Sequence, residues 1–146
     1  MNQLTALLCL LLLAGCGLHE NERVALTCPP SAITPIRYGM ITGVKPEKLE
    51  YYKQLHTKPW PQVINKIREC NIQNYSIYIQ KIDKQYYLFS YFEYIGNNFD
   101  KDMQTMAADT VTQRWWKETD PCQLPLPEAL AKHQIWTGME EVFHTN

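Results

Sequence analysis

Apolar and polar residues alternate most regularly in two neighbouring stretches, residues 74–82 and 86–94. Successive side chains of a β-strand point to opposite faces of its sheet, so this period of two predicts a strand in each stretch. The polar sequence Asp-Lys-Gln between them predicts that the two strands pair as a hairpin. A shorter strand is predicted over residues 37–44, and a last one over residues 139–143.

Elsewhere apolar residues recur every three or four positions, which is the spacing of one face of a helix. Pro46 is predicted to begin the first helix, because proline is tolerated in a first turn. Leu49, Tyr52 and His56 would share a face of that helix, and Pro59 breaks it. The same spacing predicts further helical segments, marked by Val63, Ile67 and Cys70, by Phe99, Met103 and Met106, and, after the cap Asp109, by Val111 and Trp115.

The order of these elements predicts the fold class. Residues 119–134 hold three prolines and are expected to form a long loop with one helical turn. The predicted order is strand, helices, strand, strand, helix, strand, as in a ferredoxin-like split βαβ fold. This fold is an α+β structure whose four-stranded antiparallel sheet carries helices on one face. Both faces of the hairpin carry bulky apolar side chains, and the helices can cover only one. We therefore expect a homodimer packed sheet to sheet, as a dimeric α/β barrel.

The first sixteen residues have the pattern of an export signal. Their apolar run is far shorter than the about 20 residues that span a bilayer, and it lacks the polar positions of an amphipathic helix. It ends in Leu-Ala-Gly-Cys, which resembles the lipobox of bacterial lipoproteins and would place a lipid on Cys16. Residues 17–35 are polar and rich in proline, so they are expected to tether a domain of residues 36–146. The sequence thus predicts an exported lipoprotein of the bacterial cell envelope, held to the membrane only by its anchor.

The remaining cysteines and the charge exclude several kinds of site. Cys28, Cys70 and Cys122 are left in the mature chain, so an oxidising compartment permits one bridge, and Cys28 with Cys122 is the expected pair because both lie in proline-rich sequence. Cys70 ends a helical stripe and is expected to be a buried thiol. The spacing resembles neither a zinc site nor a thiol nucleophile. A formal net charge of −1, with both signs interspersed, does not recommend nucleic acid as a partner.

Three motifs carry a family resemblance. They are "YYKQLHTKPWP" (51–61), "QNYSIYI" (73–79) and "QRWWK" (113–117), with "EEVF" near the end of the chain. In this order and spacing the sequence resembles the L-rhamnose mutarotase family, over a match from about Arg37 to Phe143. The resemblance implies a dimeric isomerase that interconverts the α and β anomers of L-rhamnose or a related hexopyranose, with no metal and no cofactor. It further implies that His56 is the proton donor and that the substrate is bound by Tyr52, Tyr75, Trp115 and Trp116.

The residues themselves suit that chemistry. Opening a cyclic hemiacetal needs a base for the proton of the anomeric hydroxyl and an acid for the ring oxygen, and a histidine with an ordinary pKa of about 6.5 can give and take protons at neutral pH. Tyr52 lies one helical turn before His56, while Trp115 and Trp116 offer aromatic faces to the C–H face of a sugar. The complementary base is left unassigned, since an ordinary phenol with a pKa of about 10 makes Tyr75 a poor one.

Other readings of the same residues remain open. A lone histidine on a helix is more often structural than catalytic, and we keep that interpretation for His19, His133 and His144. Trp60 and Trp136 are interpreted as packing residues. A sugar-binding lipoprotein without turnover is the alternative function. A small monooxygenase on the same fold is a weaker one.

Overall fold

The computed structural model describes residues 34–145. Within this range the chain forms five strands: β1 (Ile36–Val44), β2 (Ile72–Ile82), β3 (Gln85–Tyr94), β4 (Gln123–Leu124) and β5 (Thr137–Met139). It also forms five α-helices: α1 (Leu49–Thr57), α2 (Pro61–Glu69), α3 (Phe99–Ala108), α4 (Thr110–Thr119) and α5 (Pro127–Ala131). The predicted signal peptide, Cys16 and tether residues 17–33 lie outside the described residues. None of the described helices is long and apolar enough to cross a membrane.

The strands form one antiparallel sheet in the order β2-β3-β1-β4, and β5 also pairs with β1. This confirms the ferredoxin-like α+β fold. The predicted hairpin is β2 and β3, which pair from Ile82 and Gln85 at the turn to Ile72 and Tyr94 at the far end. Asp109 caps α4 as predicted, because its side chain accepts a hydrogen bond from the backbone of Thr112.

The predicted last strand, residues 139–143, is wrong in its bounds. The pairing partners Gly39 and Met139 end the ladder between β1 and β5, and residues 140–145 are irregular and exposed. Two residues further along the same register, the guanidinium of Arg37 binds the carboxylate of Glu141 at 2.6 and 2.9 Å. An ion pair therefore replaces the backbone pairing that the apolar pattern of this stretch predicts.

The segment predicted as a long loop is more ordered than expected. It contains a 3₁₀ turn (Asp120–Cys122), strand β4 and the short helix α5. The edge of β1 that is not paired with β3 offers free backbone groups, and Val44 and Gly43 there pair with Gln123 and Leu124. The backbone of Lys45 donates to the carbonyl of Cys122 at 2.9 Å. Short-range patterns do not reveal such pairing, because it depends on where β1 lies in the sheet.

One face of the sheet is covered by the helices and the other is open. Alternate residues of β3, namely Leu88, Ser90, Phe92 and Tyr94, are buried beneath the helices. On the open face, Ile41 of β1 and Tyr78 of β2 flank Phe89 of β3. Tyr78 keeps 64% of its surface exposed. Both faces of the sheet are therefore apolar, as the alternation predicts, and the helices cover only one of them.

Cys70 and Cys122 are free, buried thiols. Cys122 lies in a core cluster with Val44, Leu49, Tyr52 and Leu88, and its thiol donates to the carbonyl of Glu118 at 3.3 Å. The expected bridge between Cys28 and Cys122 is not supported, since Cys122 serves as a small core side chain and Cys28 lies outside the described residues.

Candidate active site

His56 is held in one orientation by the helix that carries it. Its Nδ1 lies 2.9 Å from the backbone oxygen of Tyr52, one turn earlier on α1. A carbonyl oxygen only accepts, so Nδ1 carries the hydrogen and the neutral ring presents the lone pair of Nε2. Nε2 has no hydrogen-bond partner among the described residues. It is therefore the nitrogen that is free for a ligand.

Burial keeps the imidazole neutral more readily than usual. Desolvation lowers the pKa of His56 below its ordinary value, and the hydrogen bond to Tyr52 opposes this only in part. The ring also packs against the phenol of Tyr52, with centroids 4.2 Å apart, and meets the indole of Trp115 edge to face at 5.3 Å.

The two adjacent tryptophans of α4 point to different parts of the protein. Trp115 is 8% exposed and lies between His56 and Trp60, whose ring centroid is 5.4 Å away. Trp116, about 100° further around the helix, is half-buried against a second core cluster that contains Phe92 and Met106. Trp115 therefore forms a wall beside the histidine, while Trp116 borders a more apolar region.

A β-bulge directs Tyr75 towards the helices. Between Gln73 and Ser76 the ladder of β2 with β3 shifts register, and Asn74 has a positive φ of 50°. The extra residue lets Tyr75 face the same side as Phe92, which it meets edge to face at 5.5 Å. The residue as a whole remains 41% exposed, and its hydroxyl donates to no described residue.

These side chains line one cleft between the sheet and the helices. The cleft has a volume of about 1340 Å³, and its walls include all five side chains assigned from the sequence: Tyr52, His56, Tyr75, Trp115 and Trp116. Ligand sites of small molecules usually measure about 300 to 1,000 Å³, so the space is ample for one sugar ring. The structure thus brings the predicted site residues together.

The phenols of the cleft remain protonated at neutral pH. Although 41% of the residue is exposed, desolvation of the phenol by the surrounding side chains raises the pKa of Tyr75 to about 12. Burial is also the main reason that the pKa of Tyr52 lies far above its ordinary value, and the neighbouring Tyr75 and Asp120 add to it while Gln123 opposes it. Both hydroxyls can donate hydrogen bonds to a ligand, and neither is a base at neutral pH.

Among the polar residues of the cleft that sequence reasoning did not assign are Asp120 and Gln123. Both lie in the segment that was expected to be a loop. A signal was present in Pro121, which ends α4 and sets Asp120 one turn beyond Trp116. Within the described part of the chain, no group of three or more His, Cys, Asp or Glu side chains is placed to hold a metal ion.

Comparison with known proteins matches most of the described chain to a family. The family described as L-rhamnose mutarotase matches residues 37–145. The L-rhamnose mutarotase of Oceanobacillus iheyensis is 30% identical over 108 residues, which cover 74% of this chain and 96% of that protein. The L-rhamnose mutarotase of Shigella flexneri is 29% identical over 109 residues, 75% of this chain and 97% of that protein. The crystal structure of an L-rhamnose mutarotase from Formosa agariphila shares the fold, with a TM-score of 0.57, 20% identity, and coverage of 76% of this chain and 99% of that one. On these grounds the chain belongs to the L-rhamnose mutarotase family.

Proposed function

We propose that this protein is an aldose mutarotase that interconverts the α and β anomers of L-rhamnose or a related hexopyranose. Family membership and the named relatives support the reaction. In this chain the supporting observation is the free Nε2 of His56, which borders a cleft lined by Trp115 and by protonated phenols. The group that the reaction needs is thus placed where a sugar fits.

Ring opening moves only protons. One group takes the proton of the anomeric hydroxyl while another gives a proton to the ring oxygen, so that the bond from C1 to the ring oxygen breaks and C1 becomes a carbonyl carbon. Rotation about the bond from C1 to C2 then exposes the other face, and the same transfers in reverse close the ring. We assign His56 in its imidazolium form as the donor, because only that form carries a proton on Nε2; this proton goes to the ring oxygen and returns on closure.

The other assigned residues bind the sugar. The hydroxyls of Tyr52 and Tyr75 are neutral donors for its hydroxyl groups, because their pKa values lie well above neutral. The indole rings of Trp115 and Trp116 offer apolar surface for the C–H face of the sugar ring. Since Trp115 is mostly buried behind His56, it shapes the wall more than it covers the ligand.

Magnetisation-exchange NMR between the anomeric protons of L-rhamnose tests the reaction. We expect the purified protein to accelerate exchange, and a panel of other hexopyranoses would rank the substrates. Saturable binding of the sugars with no accelerated exchange would contradict the mutarotase function and point instead to a sugar-binding protein.

We also propose that two copies associate through the open face of the sheet. Ile41, Tyr78 and Phe89 form an apolar row on that face, and Met139 on β5 is 42% exposed beside it. Monomeric proteins rarely leave a contiguous apolar surface of this kind uncovered. Light scattering is expected to give twice the mass of the chain, and a monomer at micromolar concentration would contradict the association.

The lipid anchor and the cell envelope as location are proposals from the sequence alone. They are supported by the apolar run and by the Leu-Ala-Gly-Cys sequence that ends at Cys16. Expression of the full chain in a Gram-negative host with labelled palmitate is expected to label the protein in the membrane fraction. The label should disappear in Cys16→Ser. Equal labelling of both proteins, or of neither, would contradict the anchor.

A further inference from the structure

Asp120 contributes the only carboxylate among the described residues that line the cleft. It follows α4, the helix of Trp115 and Trp116, and begins the 3₁₀ turn before β4. Its charge is close enough to the phenol of Tyr52 to disfavour ionisation of that phenol. Tyr52 in turn lies one helical turn from His56. The carboxylate and the imidazole thus border the same space from different elements.

The backbone around Asp120 is fixed on both sides. Its own N–H donates to the carbonyl of Trp116. Just beyond it, the ammonium of Lys45 binds the carbonyl of Pro121 at 2.9 Å, and the backbone of Lys45 binds that of Cys122 at the same distance. A carboxylate on such a pinned turn has a defined position, as proton transfer to a bound substrate requires.

The side chain has no ion-pair partner in the described part of the chain, although it is half-buried. Other carboxylates nearby are engaged: Glu118 accepts from Tyr51, and Glu50 binds Lys53. Burial raises the pKa of Asp120 above its ordinary value of 3.8, and a hydrogen bond with Thr119 opposes the shift in part. A partly desolvated acid without a cation, in a cleft, is typical of groups that exchange protons with a ligand.

The charged and titratable groups around this turn come from three elements. α1 contributes Tyr52, and α4 contributes Glu118, which points away to Tyr51. The segment after β1 contributes Lys45 and Lys48, whose charges act on the thiol of Cys122. Among the described residues, neither lysine forms an ion pair with Asp120.

Other ionisable residues of the cleft are poorer candidates for the missing base. Tyr52 and Tyr75 hold their protons, since both pKa values are raised. Lys53 is bound to Glu50 at 2.9 Å and is largely exposed. His133 is exposed at the rim. Arg68 also borders the cleft, but its guanidinium has donors only, and Tyr78 belongs to the open face of the sheet, where it pairs with Phe89. Asp120 is the group that remains.

We propose that Asp120 is the second proton-exchange group of the cleft and acts on the sugar opposite His56, an inference that rests on the proposed mutarotase function. In ring opening, the Asp120 carboxylate takes the proton of the anomeric hydroxyl as the His56 imidazolium gives its Nε2 proton to the ring oxygen. The C1 carbonyl forms as the bond to the ring oxygen breaks. Closure on the other face returns both protons, so that no charge or proton is gained or lost.

The pair is active when it holds one proton in total, which predicts a bell-shaped profile of kcat/KM against pH. The acid limb arises when Asp120 is also protonated, at a pKa raised above 3.8. The alkaline limb arises when the last proton leaves His56, at a pKa lowered below 6.5. The two shifts converge, so the active range lies between those ordinary values and is narrow.

Anomer exchange by Asp120→Asn tests the assignment, with Glu118→Gln as the matched control two residues away. We expect kcat of Asp120→Asn to fall by about 10² to 10⁴ with little change in KM, because the carboxylate acts on the transition state. The acid limb of the pH profile should disappear in this variant and persist in Glu118→Gln. Formate should restore part of the activity of Asp120→Ala, by supplying a carboxylate in the vacated space.

Two results would overturn the proposal. One is an Asp120→Asn variant whose kcat stays within about twofold of the wild type, since loss of a proton-exchange group costs far more. The other is an Asp120→Asn variant that is slow but keeps the acid limb of the pH profile, together with an Asp120→Ala variant that formate does not rescue. These two observations together would show that Asp120 has only a structural role. Failure of the wild-type protein to accelerate exchange would instead refute the mutarotase function itself, so the two failures are distinguishable.

Discussion

At the scale of single residues, His56 is oriented by its own helix: its Nδ1–H donates to the carbonyl of Tyr52 and leaves Nε2 to the cleft. Tyr52 and His56 are four residues apart, so their contact on one helix face follows from the helical repeat. The hydrogen bond from Nδ1 to the carbonyl of Tyr52 does not follow from that repeat, because it depends on the side-chain rotamer of His56. Asp120 was missed for a different reason, since an acid before proline is also typical of a plain turn. Its place in the cleft depends on the turn that ends α4 and on the pairing of the following strand β4 with β1.

Tyr75→Phe isolates the hydroxyl as a donor to the sugar. The hydroxyl donates to no described residue, and the ring keeps its contact with Phe92 in the variant, so the melting temperature should not change. Loss of one hydrogen bond of about 0.5 to 1.5 kcal/mol should weaken sugar binding by roughly 2-fold to 12-fold. Titration calorimetry measures this. Tyr87→Phe, on the open face, is the control, and equal affinities for the two variants would remove Tyr75 from the binding site.

At the scale of elements, long periodic patterns predicted the helices and strands well, and short patterns did not. The alternation of the hairpin and the stripes of α1 to α4 gave elements close to those observed. The bulge that turns Tyr75 inward has no signal in that alternation, because it is one extra residue whose place depends on the partner strand. β4 and β5 are two and three residues long, and their pairing is decided by the free edge of β1.

Removing the cap of α4 should destabilise the helix that carries the tryptophans. Asp109 accepts a hydrogen bond of 2.7 Å from the backbone of Thr112, and nothing replaces it in Asp109→Ala. We expect the free energy of unfolding to fall by about 1 kcal/mol, as measured by urea denaturation. Gln104→Ala, at an exposed position on α3, should change it by less than about 0.5 kcal/mol. Equal losses in both variants would contradict the capping role.

At the scale of the whole molecule, one sheet separates two different environments. The helix side holds the cleft and both core clusters, while the other side presents an apolar row to solvent. The sequence predicted this division, because both alternating faces of β2 and β3 carry bulk and the chain has helices for one face. The ferredoxin-like fold and the enzyme family followed from the sequence as well. The homodimer that the sequence predicts from the uncovered face stays a prediction.

A charge in the middle of the open face should separate the proposed dimer. Phe89 lies between Ile41 and Tyr78, and it does not line the cleft. We expect Phe89→Lys to be monomeric in light scattering, because burying an unpaired ammonium in an interface is costly. Leu130→Lys, at an exposed position on α5, should leave the mass unchanged. A Phe89→Lys protein that keeps the wild-type dimer mass would place the interface elsewhere.

The central claim is that the imidazole of His56 exchanges a proton with a hexopyranose held in the cleft. Its most direct test is magnetisation exchange between the anomers of L-rhamnose, with His56→Ala compared to Gln54→Ala on the exposed side of the same helix. We predict that His56→Ala loses at least about 10²-fold in exchange rate while still binding the sugar, and that Gln54→Ala matches the wild type. Equal exchange rates for the two variants would contradict the claim.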